Sequence, residues 1–317
     1  MARFLTNAQV DECVGIGDVL PAIETMAANY GNGEAANLTR RRIATPGGYL
    51  AVMGGALMYD GVFGVKTFTH TRNGYSFQVS LYDAESGELL LYTQANRLGL
   101  LRTGATTAVA VKHLANDDAA TVGIIGTGNQ AGDQLRATCL VRQVREVRAF
   151  SRNAENRRAF TTRMTDELGI PVIAADTNED AVRNCDIVIA IASAQTPVVQ
   201  GEWLSPGATA IGAGPTLRRY REVDDSTLVR ASRRFVDSLE QAPLECGDIS
   251  AAVDLGLVQW SQFHELRHVV AGTVPGRASA DEIVYCKLMG TGLADVAAAK
   301  VVWEQAEARD IGMVMDW

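Results

Sequence analysis

Thr121-Val122-Gly123-Ile124-Ile125-Gly126-Thr127-Gly128-Asn129-Gln130-Ala131 is a short apolar run, rich in β-branched residues, that ends in G-x-G-x-x-A. A polar, helix-like segment follows from Asp133. The pattern predicts a buried strand, a tight turn and a helix whose first N–H groups face outward. Gly126 permits the turn, Gly128 lets a pyrophosphate approach the backbone, and Ala131 lets the helix pack closely on the strand. The helix dipole favours phosphate charge at that end. Glycine turns are common, but here a second apolar run, Val144 to Phe150, follows the helix, as a dinucleotide-binding unit requires. Thr127, Asn129 and Gln130 complete the loop and are expected cofactor contacts with the two glycines.

Downstream of Thr121, apolar β-rich runs alternate with helical segments at 121–126, 145–151, 171–175, 185–192, 209–213 and 233–237. That alternation predicts a parallel sheet with helices on both faces. Upstream the texture differs. Residues 5–32 read as helix in two pieces, stopped by Gly31-Asn32-Gly33. Strand-like segments follow at Tyr49–Met53, Gly61–Thr69, Tyr75–Tyr82 and Leu89–Tyr92, with Asp83 to Glu88 as a hairpin turn. Leu98 to Leu114 reads as helix, and Ala294 to Ala308 as an amphipathic helix that returns to the first domain. The expected domains are 1–115 plus 294–317, a mixed α+β domain, and an inserted α/β Rossmann domain at 116–293.

With 317 residues, 47% of them hydrophobic, the chain can bury a large core. No apolar run approaches the ~20 residues of a membrane span. A net charge of −8 argues against nucleic acid as the main partner. The N-terminus lacks the apolar core of a signal peptide, and the five scattered cysteines contain no C-x-x-C. They read as buried thiols, and a cytoplasmic location is expected.

Further motifs run along nearly the whole chain: Arg42, Val52-Met53, Gly64-Val65-Lys66, Leu81 to Gly87, Leu101-Arg102-Thr103-Gly104-Ala105, Gly272 to Arg277 and Gly290-Thr291-Gly292-Leu293-Ala294-Asp295. Together with the glycine loop they resemble the ornithine cyclodeaminase/mu-crystallin family. Its members include cyclodeaminases, alanine dehydrogenases, ketimine or imino-acid reductases and a hormone-binding crystallin. The resemblance implies a homodimer built through the first domain, with substrate bound in the cleft between the domains. It implies that Arg42 and Arg102 hold an α-carboxylate and that Lys66 sits beside the reacting carbon and nitrogen. Thr103, Ala192, Ser193 and Gly212 are expected with the loop as cofactor contacts.

The chemistry suits these residue types. A guanidinium fork fixes a carboxylate at two points. A lysine beside two arginines should have its pKa pushed down, which makes it a usable acid.

Cyclodeaminases carry an aspartate just after the fifth Rossmann strand, yet no aspartate lies between Ala208 and Glu222, and Ala51 stands where those enzymes have a glutamate. Both departures count against ornithine ring closure, whereas hydride transfer needs neither group. What replaces them is basic: Arg40, Arg41, His70, Arg72, Arg218, Arg219 and Arg221. Arginines turned into the pocket would suit a second carboxylate, as in an imine such as iminosuccinate, reduced to aspartate. The expected activity is NAD(P)H-dependent reduction of a small 2-imino acid. The alternatives are a cyclodeaminase-type lyase using bound NAD and a non-catalytic binding protein. After the second Rossmann strand, Ser151-Arg152-Asn153 carries no acidic residue to grip a free ribose 2′-hydroxyl, which leans the cofactor toward NADPH and leaves NADH open.

Two patterns are set aside. His264-Glu265-Leu266-Arg267-His268 fits the zinc motif H-E-x-x-H but lacks a third ligand, so no metal is expected and the segment reads as a surface helix. Asn37-Leu38-Thr39 is a glycosylation sequon without a secretion signal.

Overall fold

The structure, a computed structural model, describes residues 1–316. In chain order the elements are β1 (Ala2–Leu5), α1 (Asn7–Cys13), α2 (Ile16–Gly31), β2 (Ala35–Thr45), β3 (Gly48–Leu57), β4 (Val62–Thr71), β5 (Gly74–Asp83), β6 (Leu89–Gln94) and α3 (Asn96–Leu114). Then come β7 (Thr121–Ile125), α4 (Ala131–Val141), β8 (Glu146–Phe150), α5 (Ala154–Leu168), β9 (Val172–Ala174), α6 (Asn178–Val182), β10 (Ile187–Ala190) and β11 (Thr209–Gly212). The chain continues through α7 (Asp225–Arg230), β12 (Arg233–Val236), α8 (Ala242–Glu245), α9 (Gly247–Asp254), β13 (Phe263–Glu265), α10 (Leu266–Val270) and β14 (Val284–Lys287). It closes with α11 (Gly292–Ala308) and β15 (Met313–Met315). It divides into two units, Met1–Thr106 with Gly290–Trp317, and Thr107–Met289, against the lines at 115/116 and 293/294 drawn from sequence texture.

The first unit is a seven-stranded sheet in the order β15-β1-β6-β5-β4-β3-β2. Strands β2 to β6 form an antiparallel meander, β1 runs parallel to β6, and β15 pairs antiparallel with β1. Side chains alternate between the two faces. Met53, Lys66, Val79 and Thr93 fall in one register row on the buried face, and Ala51, Phe68 and Phe77 in the next. Helix α11 lies against that face because glycines leave it room: a Cβ on Gly55 would meet the Leu293 Cα at 2.8 Å, and one on Gly292 would meet the Gly54 nitrogen at 2.3 Å. The first half of the last helix is therefore not amphipathic as its sequence suggested, while beyond Ala299 only Val302 and Ala306 of the helix are buried. Every residue from Gly292 to Ala299 is buried, since the helix packs against both the sheet and α2. Asn37 of the sequon accepts a hydrogen bond from the Leu293 N–H at 3.3 Å. The other sheet face exposes Leu50, Phe63 and Tyr92.

The second unit is an eight-stranded, all-parallel sheet in the order β13-β12-β14-β11-β10-β7-β8-β9. It is the doubly wound arrangement expected of a Rossmann domain. Its core gathers Ile125, Val188, Ala190, Ala210, Phe263 and Tyr285 among others. The segment read as a surface helix at 264–268 is corrected: His264 and Glu265 end strand β13, and His268 lies on the short helix α10. The two histidines therefore do not share a helix face. Glu265 is buried and accepts from the Leu239 N–H at 2.8 Å.

Candidate active site

Within the first unit, Lys66 projects from the middle of β4 onto the buried face and is 3% exposed. Its Nζ lies 2.8 Å from Asp295 Oδ1, and the same oxygen accepts from Arg102 Nε at 3.0 Å. Asp295 is fully buried in the first turn of α11, which Thr291 caps by accepting from the Ala294 N–H. Its Oδ2 has no hydrogen-bond partner among the described residues.

Arg40 completes the cluster. A register shift in β2 between Leu38 and Arg41 leaves Arg40 buried, with Nη2 on the Gly290 carbonyl at 3.0 Å and Nε on Met53 Sδ at 3.2 Å. Gly290, at φ +77°, packs between two guanidiniums, since a Cβ there would sit 2.6 Å from Arg102 Nη1. Arg42 is half-buried, over the Tyr49 ring at 5.7 Å, one register row from Lys66, while Arg41 and Arg72 are exposed. His70 stacks on Tyr49.

Burial lowers the Lys66 pKa to about 8; Asp295 opposes this, and the Arg102 and Arg40 charges add to it. Asp295 stays below the usual carboxylate range because Arg102 and Lys66 outweigh the burial that would raise it. Lys66 is thus an ammonium that can release a proton near neutral pH. Thr103 hydrogen-bonds back to the Gly99 carbonyl one turn earlier in α3.

In the second unit, Gly126 follows β7 at φ +110°, and a Cβ there would meet the Ile191 carbonyl oxygen at 2.7 Å. Gly128 has open space where a Cβ would go. Gln130, at the N-cap of α4, makes no side-chain cap; the Ala131 N–H donates to the Gly128 carbonyl at 3.0 Å, and among the described residues no side chain caps this helix end. Asn129 is exposed beside it. Thr127 Oγ1 and Ser151 Oγ are 2.7 Å apart, tying the loop to the end of β8. Asn153 caps α5 through the Asn156 N–H, and Arg152 is exposed. Ala192 follows β10 and donates its N–H to Glu222, with Ser193 exposed next to it. Gly212 is buried, its carbonyl taken by the Leu288 N–H and its α-carbon backed by Lys287 and Tyr285. A glycine that admits no side chain, open space over the next and a helix end without a side-chain cap fit a dinucleotide pyrophosphate.

The arginines after β11 do not gather on one pocket. Arg218 pairs with Asp254 at 3.2 Å, Arg221 with Asp225 at 2.5 Å, and Arg219 lies over Tyr220. A surface hollow of about 540 Å³, lined by Asp117, Asp118, Cys139, Arg142 and Arg145, opens at the N-terminal edge of the parallel sheet. Ligands of such sheets bind outside the carboxyl ends of the strands, where the glycine loop is.

Sequence reasoning gave no role to Asp295, Glu222, Asp248 or Lys287, and it placed Arg40 beside the site only as one of several basic residues. The signal for Asp295 was present, as a single acid at the head of an alanine-rich apolar helix.

A doubly wound sheet carrying this loop in the second unit, with a buried lysine–arginine–aspartate cluster in the first, defines a nicotinamide-dinucleotide-dependent oxidoreductase. Over residues 2–310 the chain matches, and it belongs to, the ornithine cyclodeaminase/mu-crystallin family. A putative dehydrogenase of Rhizobium meliloti is 35% identical over 217 residues, which are 68% of this chain and 65% of that protein. The structure of Thermococcus litoralis Δ1-pyrroline-2-carboxylate reductase with NADH and L-proline aligns with TM-score 0.94 at 28% identity, covering 99% of this chain and all of the other. Paracoccus denitrificans iminosuccinate reductase with NAD+ aligns with TM-score 0.92 at 26% identity, covering 98% of each chain.

Proposed function

We propose that the protein is an NAD(P)H-dependent imino-acid reductase, running an amino-acid dehydrogenase reaction in reverse. The observation that carries this reading is the buried pairing of Lys66 and Arg102 on a single carboxylate, Asp295, with the Arg40 charge buried near the lysine. When bound, the nicotinamide supplies a hydride to the imine carbon. Arg102 spends its Nε on Asp295, and neither Nη bonds a protein acceptor among the described residues. With Arg40 it holds the substrate α-carboxylate in two-point geometry. Lys66 gives the imine nitrogen a proton as the C=N bond is reduced, and Asp295 keeps that lysine charged enough to do so at neutral pH.

The substrate we favour is dicarboxylic. Arg40, Lys66 and Arg102 against Asp295 leave an excess of two positive charges, which one carboxylate does not neutralise. Arg42, one row further along the sheet, takes the second carboxylate. Ring closure of a diamino acid is the weaker reading, because the first carboxylate after β11, Glu222, is sealed in the core. Thr127-anchored Ser151 with Arg152 beside it favours NADPH. The exposed apolar sheet face supports a homodimer, read by sedimentation equilibrium.

The test is oxidation of NADPH and NADH at 340 nm with ammonium and a panel of 2-oxo acids, oxaloacetate, pyruvate, glyoxylate and 2-oxoglutarate, plus a cyclic ketimine. Oxaloacetate turned over far above pyruvate supports the dicarboxylate pocket. Preference for pyruvate or the cyclic ketimine discards that pocket and keeps the reductase. Silence across the panel with tight cofactor binding removes the reductase.

A further inference from the structure

A second buried charge cluster lies wholly within the dinucleotide unit. Lys287, the last residue of β14, places Nζ 2.8 Å from Glu222 Oε2 and 3.1 Å from Asp248 Oδ2, and all three side chains are at most 1% exposed. Asp248, in the first turn of α9, accepts from the Glu222 and Val223 N–H groups at 2.5 and 3.0 Å. Glu222 in turn accepts from two backbone segments, the Ala192 N–H at 3.1 Å and the Gly214 N–H at 2.9 Å. Gly214 leaves the carboxylate its room, since a Cβ there would lie 2.2 Å from Glu222 Oε1.

Burying three charges is a poor route to stability, because desolvation offsets most of the attraction. What the cluster does achieve is geometric. One carboxylate fixes the heights of the segments leaving the carboxyl ends of β10 and β11. The sheet order β8-β7-β10-β11 says what lies there. The glycine loop follows β7, and Ser151, at the position read as the ribose site, follows β8 on one side. The other half of a dinucleotide then extends over β10 and β11, onto the segments Glu222 holds.

We propose that Glu222, clamped by Lys287 and Asp248, is a positioning residue that sets the backbone on which the nicotinamide nucleoside half of the cofactor rests. The inference stands on the reading of this unit as a nicotinamide-dinucleotide site.

Glu222→Gln keeps the side-chain volume but exchanges one acceptor oxygen for a donor. The full chain and this variant are titrated calorimetrically with NADPH and NADH and with ADP, which lacks the nicotinamide nucleoside. The better reduced dinucleotide weakens by about tenfold in the variant, the cost of one lost buried acceptor, while ADP affinity stays within about twofold. Equal loss for both ligands, or no loss for either, overturns the proposal. If Glu222→Gln does not fold, Glu222→Asp, which retains charge and both oxygens on a shorter arm, is read by the same split. Failure of the unsubstituted chain to bind ADP or either dinucleotide removes the underlying site, and the proposal with it. That failure is told apart from the others by appearing without any substitution.

Discussion

Asp295 Oδ1 is shared: it accepts from Lys66 Nζ at 2.8 Å and from Arg102 Nε at 3.0 Å. One oxygen atom therefore opposes the effect of burial on the lysine and holds the guanidinium at the same time. Replacing the aspartate should disturb both at once.

Asp295→Asn keeps the shape and removes the charge. Lys66 then loses the charge that opposes burial, so its pKa falls further below about 8. Reductive turnover at neutral pH drops, and the alkaline limb of the pH profile moves to lower pH. Breaking a buried ion pair destabilises by about 3–5 kcal/mol, visible as a lower Tm. An unmoved alkaline limb would show that Asp295 does not tune the lysine.

The pH dependence of the unaltered enzyme follows from the same lysine. As a proton donor Lys66 must be charged, so kcat for imine reduction is level below about 8 and falls above it. Stability moves the other way. The folded-state pKa lies below the ordinary lysine value of 10.5, so between about 8 and 10.5 the unfolded chain binds more protons. The lysine's contribution to stability therefore rises with pH across that window. A rate level to pH 10 in the enzyme, matched in Lys66→Met, would rule out the lysine as the donor.

On the proposed reading, Arg40 and Arg42 divide a dicarboxylic substrate between them. Arg40→Met raises KM for every 2-imino acid by about 10- to 100-fold, the cost of a lost charged hydrogen bond. Arg42→Met raises KM for a dicarboxylic imine and leaves that for a monocarboxylic one nearly unchanged. Steady-state kinetics on paired substrates separates the two residues; equal effects from Arg42→Met would dismiss its assignment to the second carboxylate.

The two loop glycines should fail differently. Gly126→Ala puts a Cβ 2.7 Å from the Ile191 carbonyl oxygen at φ +110°, so both Tm and cofactor affinity fall. Gly128→Ala meets no protein atom within 4 Å, so Tm holds while cofactor affinity falls through obstruction of the phosphate. Thermal melts with and without NADPH distinguish these outcomes.

Most of the dinucleotide unit was legible because its strands are short apolar runs between turns. β14 was not, since Val284-Tyr285-Cys286-Lys287 ends in a lysine whose partners, Glu222 and Asp248, are distant in sequence. Strand β2 was hidden by the run Arg40-Arg41-Arg42, which looks like surface until the shift after Leu38 turns Arg40 inward. Lys66 and Arg102 were named from the family resemblance and lie together on Asp295. Arg40 could not be ranked above Arg42, because a one-residue irregularity in a strand decides which side chain is buried. Helix α11 was recognised, but its surroundings were not: alanine-rich sequence reads as amphipathic unless the partners on both sides are known.

Asp295 and Gly290 reach the first unit's sheet only after the chain has passed through the whole of the second. During synthesis, the inserted unit can close while β2 to β6 still wait for α11 to cover them. The lysine–arginine–aspartate cluster is thus among the last features to assemble. A chain stopped before Gly290 would retain the glycine loop yet lack the carboxylate that organises the lysine.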